Sequence, residues 1–224
     1  MKKVFVLLFS FIFVFLHSAP IYADVEYSIE KVTIDAFLQE NGNVLVQESF
    51  TYDFDDEFNG ITRSLIAKEN TSIEDLKAYE NGNELKIEKD GGLYKIYRSG
   101  DHETITIDIE YTIINGIEKY QDVAQFYWPF FDSSNESQYD NMTITVYPPN
   151  EIYNDVIAFG YNEAYGTEQI LQDGSVVFHL GKVQEEKNGD IRVAYDANLF
   201  PAAPMNDKHM KDEILQAKEK LDEE

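Results

Sequence analysis

The stretch Thr104-Ile105-Thr106-Ile107-Asp108-Ile109-Glu110-Tyr111-Thr112-Ile113-Ile114 alternates almost without a break. Ile105, Ile107, Ile109, Tyr111 and Ile113 fall on one side of an extended chain. Thr104, Thr106, Asp108, Glu110 and Thr112 fall on the other. Successive side chains of a strand point to opposite faces, so this segment reads as a strand with one apolar and one wet face. The same period recurs in both directions. Met142, Ile144 and Val146 alternate with Thr143, Thr145 and Tyr147; Val176, Phe178 and Leu180 alternate with Val177 and His179; Ile191, Val193 and Tyr195 alternate with Arg192, Ala194 and Asp196. Between such runs lie turn signals tolerant of positive φ: Asn41-Gly42-Asn43, Asn81-Gly82-Asn83, Asp90-Gly91-Gly92, Asn115-Gly116, Asp173-Gly174-Ser175 and Asn188-Gly189. About ten to twelve short strands at this spacing predict an all-β fold, an antiparallel β-sandwich with short hairpins.

Tyr147-Pro148-Pro149-Asn150 interrupts the pattern. Residues 24–147 are therefore expected to form the main sandwich. Residues 151–200 either add strands to it or build a small second β layer. Pro201 and Pro204 close the β part, and Met205 to Glu224 reads as one charged amphipathic helix with Met210, Ile214, Ala217 and Leu221 in a narrow apolar stripe.

At the other end, Lys2 and Lys3 precede the apolar run Val4 to Leu16, broken only by Ser10, and small Ala23 follows a short tract. That is the pattern of a secretory signal peptide, residues 1–23, cleaved after Ala23. The run is shorter than the roughly 18–20 residues that span a bilayer. The expected location is secreted or on the extracytoplasmic face of a bacterial membrane.

The 224 residues carry 18 Lys and Arg against 42 Asp and Glu, a formal charge of −24, and no cysteine. Removal of Lys2 and Lys3 with the leader leaves 16 against 42, or −26. Disulfide scaffolds, zinc ribbons and thiol enzymes are excluded. Nucleic-acid binding is not expected, because a phosphate backbone would meet a strongly negative surface. With 43% apolar and 14% aromatic residues the chain can fill a core without staples.

Three constellations carry possible chemistry. Val44, Val46, Glu48, Phe50, Tyr52 and Phe54 share one strand face, so Glu48 interrupts an apolar surface and requires a partner. Arg63 is the nearest downstream cation, and a structural ion pair with Glu48 is expected. Asp53, Asp55, Asp56 and Glu57 are weak calcium candidates, since clustered carboxylates can supply oxygen ligands, but their spacing is not that of an EF-hand. No other cofactor is implied. Asp122, Phe126, Tyr127 and Trp128 are candidates for a ligand- or partner-binding platform, with Tyr120, Phe130 and Phe131 nearby, although Phe126 and Trp128 also suit the core side of a strand. No Gly-x-Ser-x-Gly elbow, His-Glu-x-x-His or phosphate loop is present, and His102, His179 and His209 stand in unrelated contexts.

Taken in order, several stretches resemble one bacterial family. They are Tyr27-Ser28-Ile29, Gly42 to Glu48 running into Phe50 to Phe54, Phe58-Asn59-Gly60-Ile61-Thr62-Arg63, Tyr111 to Asn115 leading to Asp122 to Trp128, and Ile144 to Pro148. The chain is similar over about residues 24–200 to the domain of unknown function 2207, found in predicted membrane proteins. The resemblance implies an extracytoplasmic β domain followed by transmembrane helices, with Glu48, Arg63, Asp122 and Trp128 at family-pattern positions and no established activity. The charged C-terminal helix would be the stalk leading to such helices. Membrane proximity would then come through a span beyond Glu224; the alternative is a secreted relative.

The reading that follows is an exported, non-catalytic envelope module that binds or senses an extracellular protein or glycan. Two rivals remain open. One is a secreted glycan hydrolase using two carboxylates about 5–10 Å apart. The other is an assembly subunit pairing through a sheet edge.

Overall fold

The computed structural model describes residues 25–65, 67–152 and 155–223. The expected leader and its cleavage point lie outside them. The strands in chain order are β1 (Tyr27–Leu38), β2 (Val44–Phe54), β3 (Glu57–Ser64), β4 (Ser72–Glu80), β5 (Asn83–Glu84), β6 (Lys86–Asp90), β7 (Leu93–Asp101), β8 (Thr104–Ile114), β9 (Ile117–Lys119), β10 (Ala124–Phe131), β11 (Tyr139–Tyr147), β12 (Ile157–Asn162), β13 (Glu168–Ile170), β14 (Val176–Val183) and β15 (Gly189–Tyr195). They form an eight-stranded sheet in the order β13-β14-β11-β1-β2-β8-β4-β5, a four-stranded sheet β12-β15-β10-β9 and a three-stranded sheet β3-β7-β6. The described residues thus hold fifteen strands, more than alternation indicated. The surplus is β5, β9 and β13, each two or three residues long and too short to display a period.

The alternating residues of β8 lie as expected: Ile105, Ile107, Ile109, Tyr111 and Ile113 are all buried. Their neighbours on β2, Val44, Val46, Phe50, Tyr52 and Phe54, are buried beside them. The inner faces of β10 and β15 (Phe126, Trp128, Ile191, Val193, Tyr195) join the same hydrophobic cluster, so the two larger sheets face each other across one core. One pairing departs from the antiparallel rule. β1 runs parallel to β11, with Ile34 opposite Ile144 and Ala36 opposite Val146. Period-two alternation identifies a strand but carries no information about which strand lies next to it. Strands from both sides of Pro148-Pro149 enter both larger sheets, β13 and β14 in the first, β12 and β15 in the second.

Turn chemistry places the hairpins. Asn81 and Gly82 both have positive φ, 51° and 78°, as the tight turn from β4 to β5 requires. Gly60 has φ 146° at a bulge in β3, and a Cβ there would stand 2.2 Å from the carbonyl oxygen of Ile96.

The helix α1 (Lys211–Glu223) is shorter than the expected Met205–Glu224. Met205 and Asn206 instead run along β9, with Asn206 donating its N–H to the carbonyl of Lys119 (2.8 Å). Nor does the helix stand free as a stalk. Ile214 is fully buried against Tyr120, Val123, Phe159 and Ala194, and Met210, Ala217 and Leu221 pack on the same cluster. The apolar stripe is spent on the outer face of the four-stranded sheet, which is therefore covered on both sides. Among the described residues no helix is long and apolar enough to cross a membrane.

Candidate functional site

Glu48 sits in the middle of β2 on the inward face, between Ile34 of β1 and Ile109 of β8. Its side chain is fully buried. Arg63 of β3 meets it with a two-pronged contact: Nε donates to Oε2 at 2.7 Å and Nη2 to Oε1 at 2.8 Å. The Tyr111 hydroxyl donates to Oε1 at 2.8 Å. Arg63 Nη2 also reaches the carbonyl of Phe130 on β10 (3.2 Å), and Nη1 reaches the carbonyl of Ser64 (3.2 Å). One guanidinium therefore ties together all three sheets. Burial works against its charge, but the Glu48 carboxylate and its hydrogen bonds outweigh this and hold the Arg63 pKa above the ordinary value. Burial, with Glu48 adding to it, pushes the Tyr111 phenol well up.

Beside this pair the sheets part around a cavity of about 650 Å³. Residues in a strand alternate faces, so a cavity lying against a strand's face is lined by every second residue. Here Gly60 through Leu65 all line it, and so do Trp128 through Asp132. The cavity thus runs along the edges of β3 and β10. Among the described residues β3 has β7 as its sole neighbour, and β9 covers only the first part of β10, residues 124–126. Two side chains reach across in place of a strand: Arg63 to the Phe130 carbonyl, and Lys68 Nζ to the Tyr127 carbonyl at 2.7 Å. The floor is aromatic, with Phe50, Tyr52 and Phe54 from β2 and Tyr139 from β11.

Tyr52 is 5% exposed, and among the described residues its hydroxyl has no hydrogen-bond partner. Burial, reinforced by Tyr139, drives its pKa far up, so it remains a donor at physiological pH. The loop from Asp132 to Gln138 forms a wall. Tyr139 OH donates to Asn135 Oδ1 (3.0 Å), the Tyr27 hydroxyl meets Ser137 Oγ (2.8 Å), and Asp132 Oδ1 accepts from the Ser134 N–H (2.8 Å).

The aromatic candidates do not converge. Phe126 and Trp128 point into the core, 0% and 3% exposed, so they cannot form an open platform; only Trp128 borders the cavity. Tyr127 points the other way, beneath Lys68 Nζ (4.5 Å from the ring centre) and Arg192 (5.4 Å). Asp122 lies at the start of α1, where Oδ1 accepts the Met210 N–H (2.9 Å) and Oδ2 the Lys211 N–H (3.3 Å), with His209 Nδ1 3.4 Å away. Partial burial would raise its pKa, but those main-chain donors and His209 outweigh this and hold it below the usual aspartate range. Of the calcium candidates, Asp53 accepts from the Thr104 hydroxyl (2.6 Å), Asp56 accepts from the Glu26 N–H (3.2 Å), and Asp55 and Glu57 are exposed. Among the described residues no three His, Asp or Glu side chains gather as an ion would need.

Sequence reasoning missed Tyr52 and Tyr139 as site residues, and also Lys68 and the 132–138 wall. The one available signal was the unbroken aromatic series Phe50, Tyr52, Phe54 next to Glu48 on the same face.

Comparison with solved structures finds distant likenesses. An M1 zinc metallopeptidase from Deinococcus radiodurans is similar at 11% identity and TM-score 0.48, over 74% of this chain and 42% of that one. Yeast LTA4 hydrolase is similar at 10% and 0.45, over 76% and 29%. Legionella pneumophila aminopeptidase A is similar at 14% and 0.41, over 77% and 22%. The chain thus spans less than half the length of these enzymes. Among curated proteins nothing matches. The model of one family, described as the predicted membrane protein (DUF2207) N-terminal domain, matches residues 28–195. That match takes in the Glu48–Arg63 pair, both edges of the cavity and every large strand but the first residue of β1, and the chain belongs to this DUF2207 family.

Proposed function

We propose that this DUF2207 domain is a non-catalytic recognition module, exported to the extracytoplasmic side of the membrane, that holds a partner in the cleft between β3 and β10. The observation that carries the reading is the cleft itself. It is of ligand-binding size, aromatic-floored, and lined by the largely buried Tyr52, whose hydroxyl makes no hydrogen bond among the described residues.

The acids near it are unsuited to paired acid and base work. Both Glu48 oxygens are engaged by Arg63 and Tyr111, while Asp132 and Glu136 stand on the rim. Elsewhere Glu80 and Glu103 are brought together by Arg98, which binds both.

Trp128 is the chain's one tryptophan and borders the cleft, so its emission reports occupancy. The test titrates the purified domain with short peptides, peptidoglycan fragments and neutral oligosaccharides. A saturable change in Trp128 emission with one class is expected. Tyr52→Phe, which removes no internal hydrogen bond, should weaken that binding about tenfold without loss of stability. Silence with every class up to about 1 mM would remove the cleft as a recognition site.

A further inference from the structure

The cleft has an open main-chain face as well as side chains. Leu65 donates its N–H to the carbonyl of Gly92 at 2.9 Å, and this sets the phase of the β3–β7 ladder. Counting back by twos, Arg63 pairs its main chain with Tyr94 and Ile61 with Ile96. Thr62 and Ser64 therefore turn their main-chain groups away from β7, toward the cleft that both residues line. The Ser64 carbonyl is taken by Arg63. Among the described residues, the N–H and C=O of Thr62 and the N–H of Ser64 have no partner. The opposite edge is more obstructed: Lys68 takes the Tyr127 carbonyl, Arg63 takes the Phe130 carbonyl, and Pro129 has no N–H to offer.

The charges near the cleft are unequal as well. Arg63 is balanced by Glu48 and Lys68 by Glu118, which leaves Asp132 and Glu136 on the wall of a chain whose formal charge is already −24. An anionic occupant is disfavoured and a basic one favoured.

We infer that the cleft receives an extended, basic peptide segment of a partner protein, which adds as a strand to the free edge of β3 at Thr62 and Ser64. Alternate apolar side chains of that strand would lie on Phe50, Tyr52 and Phe54, and the Tyr52 hydroxyl would donate to an acceptor on the peptide. This rests on the recognition reading above and names the chemistry of the partner. A second copy of the chain suits the cleft less well, because its net charge has the same sign.

The probe is a set of short synthetic peptides alternating Val, Ile or Tyr with Thr or Lys, added to the purified domain. Amide exchange at Thr62 and Ser64 is read by NMR, and Trp128 emission is read alongside it. Strand addition requires exchange at both amides to slow about tenfold or more at saturation. It also requires weaker binding when alternate peptide nitrogens are methylated, and when Ser64→Pro deletes a donor that the fold itself does not use. Binding that leaves both amides exchanging as before, or that survives N-methylation unchanged, overturns strand addition and leaves the recognition reading standing. A response to oligosaccharides or peptidoglycan fragments but not to any peptide does the same. Silence with all three classes overturns both.

Discussion

Glu48 is a carboxylate placed where the neighbouring positions of β2 are Val46 and Phe50, and it is tolerated only because three donors converge on it. Burying the pair costs desolvation on both sides, so its net worth is small; the penalty appears when one partner is removed. Glu48→Leu leaves the Arg63 charge and the Tyr111 hydroxyl unmatched. It should lower unfolding free energy by about 3–5 kcal/mol in urea titrations. Glu48→Leu combined with Arg63→Met removes both charges and should recover most of that loss. If the double variant is as unstable as the single one, the pair contributes through its contacts to Phe130 and Ser64, and the role in matching charge is wrong. The residue scale is also where the sequence was most informative. A lone acid on an apolar face announces a buried partner, and Arg63 was the nearest cation available to meet it. That Arg63 also bridges to Phe130, 67 residues further on, has no local signature.

At the scale of elements, α1 is held by its apolar stripe and by Asp122. The carboxylate occupies the position where a helix start has unsatisfied N–H groups and a partial positive charge. Asp122→Ala should cost about 0.5–2 kcal/mol, seen as faster exchange of amides in α1 while those of β8 hold. The pH dependence follows from the depressed pKa. A carboxyl that titrates lower in the folded protein contributes its full share above its unfolded pKa, about 3.9, and loses it as the pH falls through the lower folded value. The share of α1 docking that Asp122 supplies should therefore be lost only below about pH 4. Asp122→Asn should abolish this acid limb. An acid limb that survives unchanged in Asp122→Asn contradicts the assignment.

Elements also show what alternation conveys and what it omits. It identified β8, β11 and β14 and their buried sides because a single face was at stake; in β15 it marked the side turned to the main core and not Ala194, which is buried under α1 on the other. It could not supply the parallel neighbour of β1, since pairing partners are set by packing across 100 residues or more. In the same way, four candidates close in sequence, Asp122, Phe126, Tyr127 and Trp128, were separated by the pleat. The strand that carries the last three sends Phe126 and Trp128 to the core and Tyr127 to the opposite face.

For the whole molecule the dominant long-range quantity is charge. A chain of 224 residues at −24 is destabilised by its own repulsion, which acts on the compact form more than on the expanded one. Screening should relieve it. Raising sodium chloride from about 0.02 M to 0.5 M shortens the Debye length from about 20 Å to about 4 Å. If that relief is worth about 1 kcal/mol, the melting midpoint rises by about 2–4 °C for a chain of this size. Screening depends on ionic strength and valence, not on which divalent ion supplies it. The scattered placement of Asp53, Asp55, Asp56 and Glu57 supplies no cage that would prefer calcium's larger radius. Calcium and magnesium at matched concentration should therefore raise the midpoint equally. A calcium excess that persists in 0.5 M salt and disappears in Asp53→Asn or Asp55→Asn would mean that those carboxylates close around an ion after all, and that the β2–β3 turn is a binding site and not merely a solvated one.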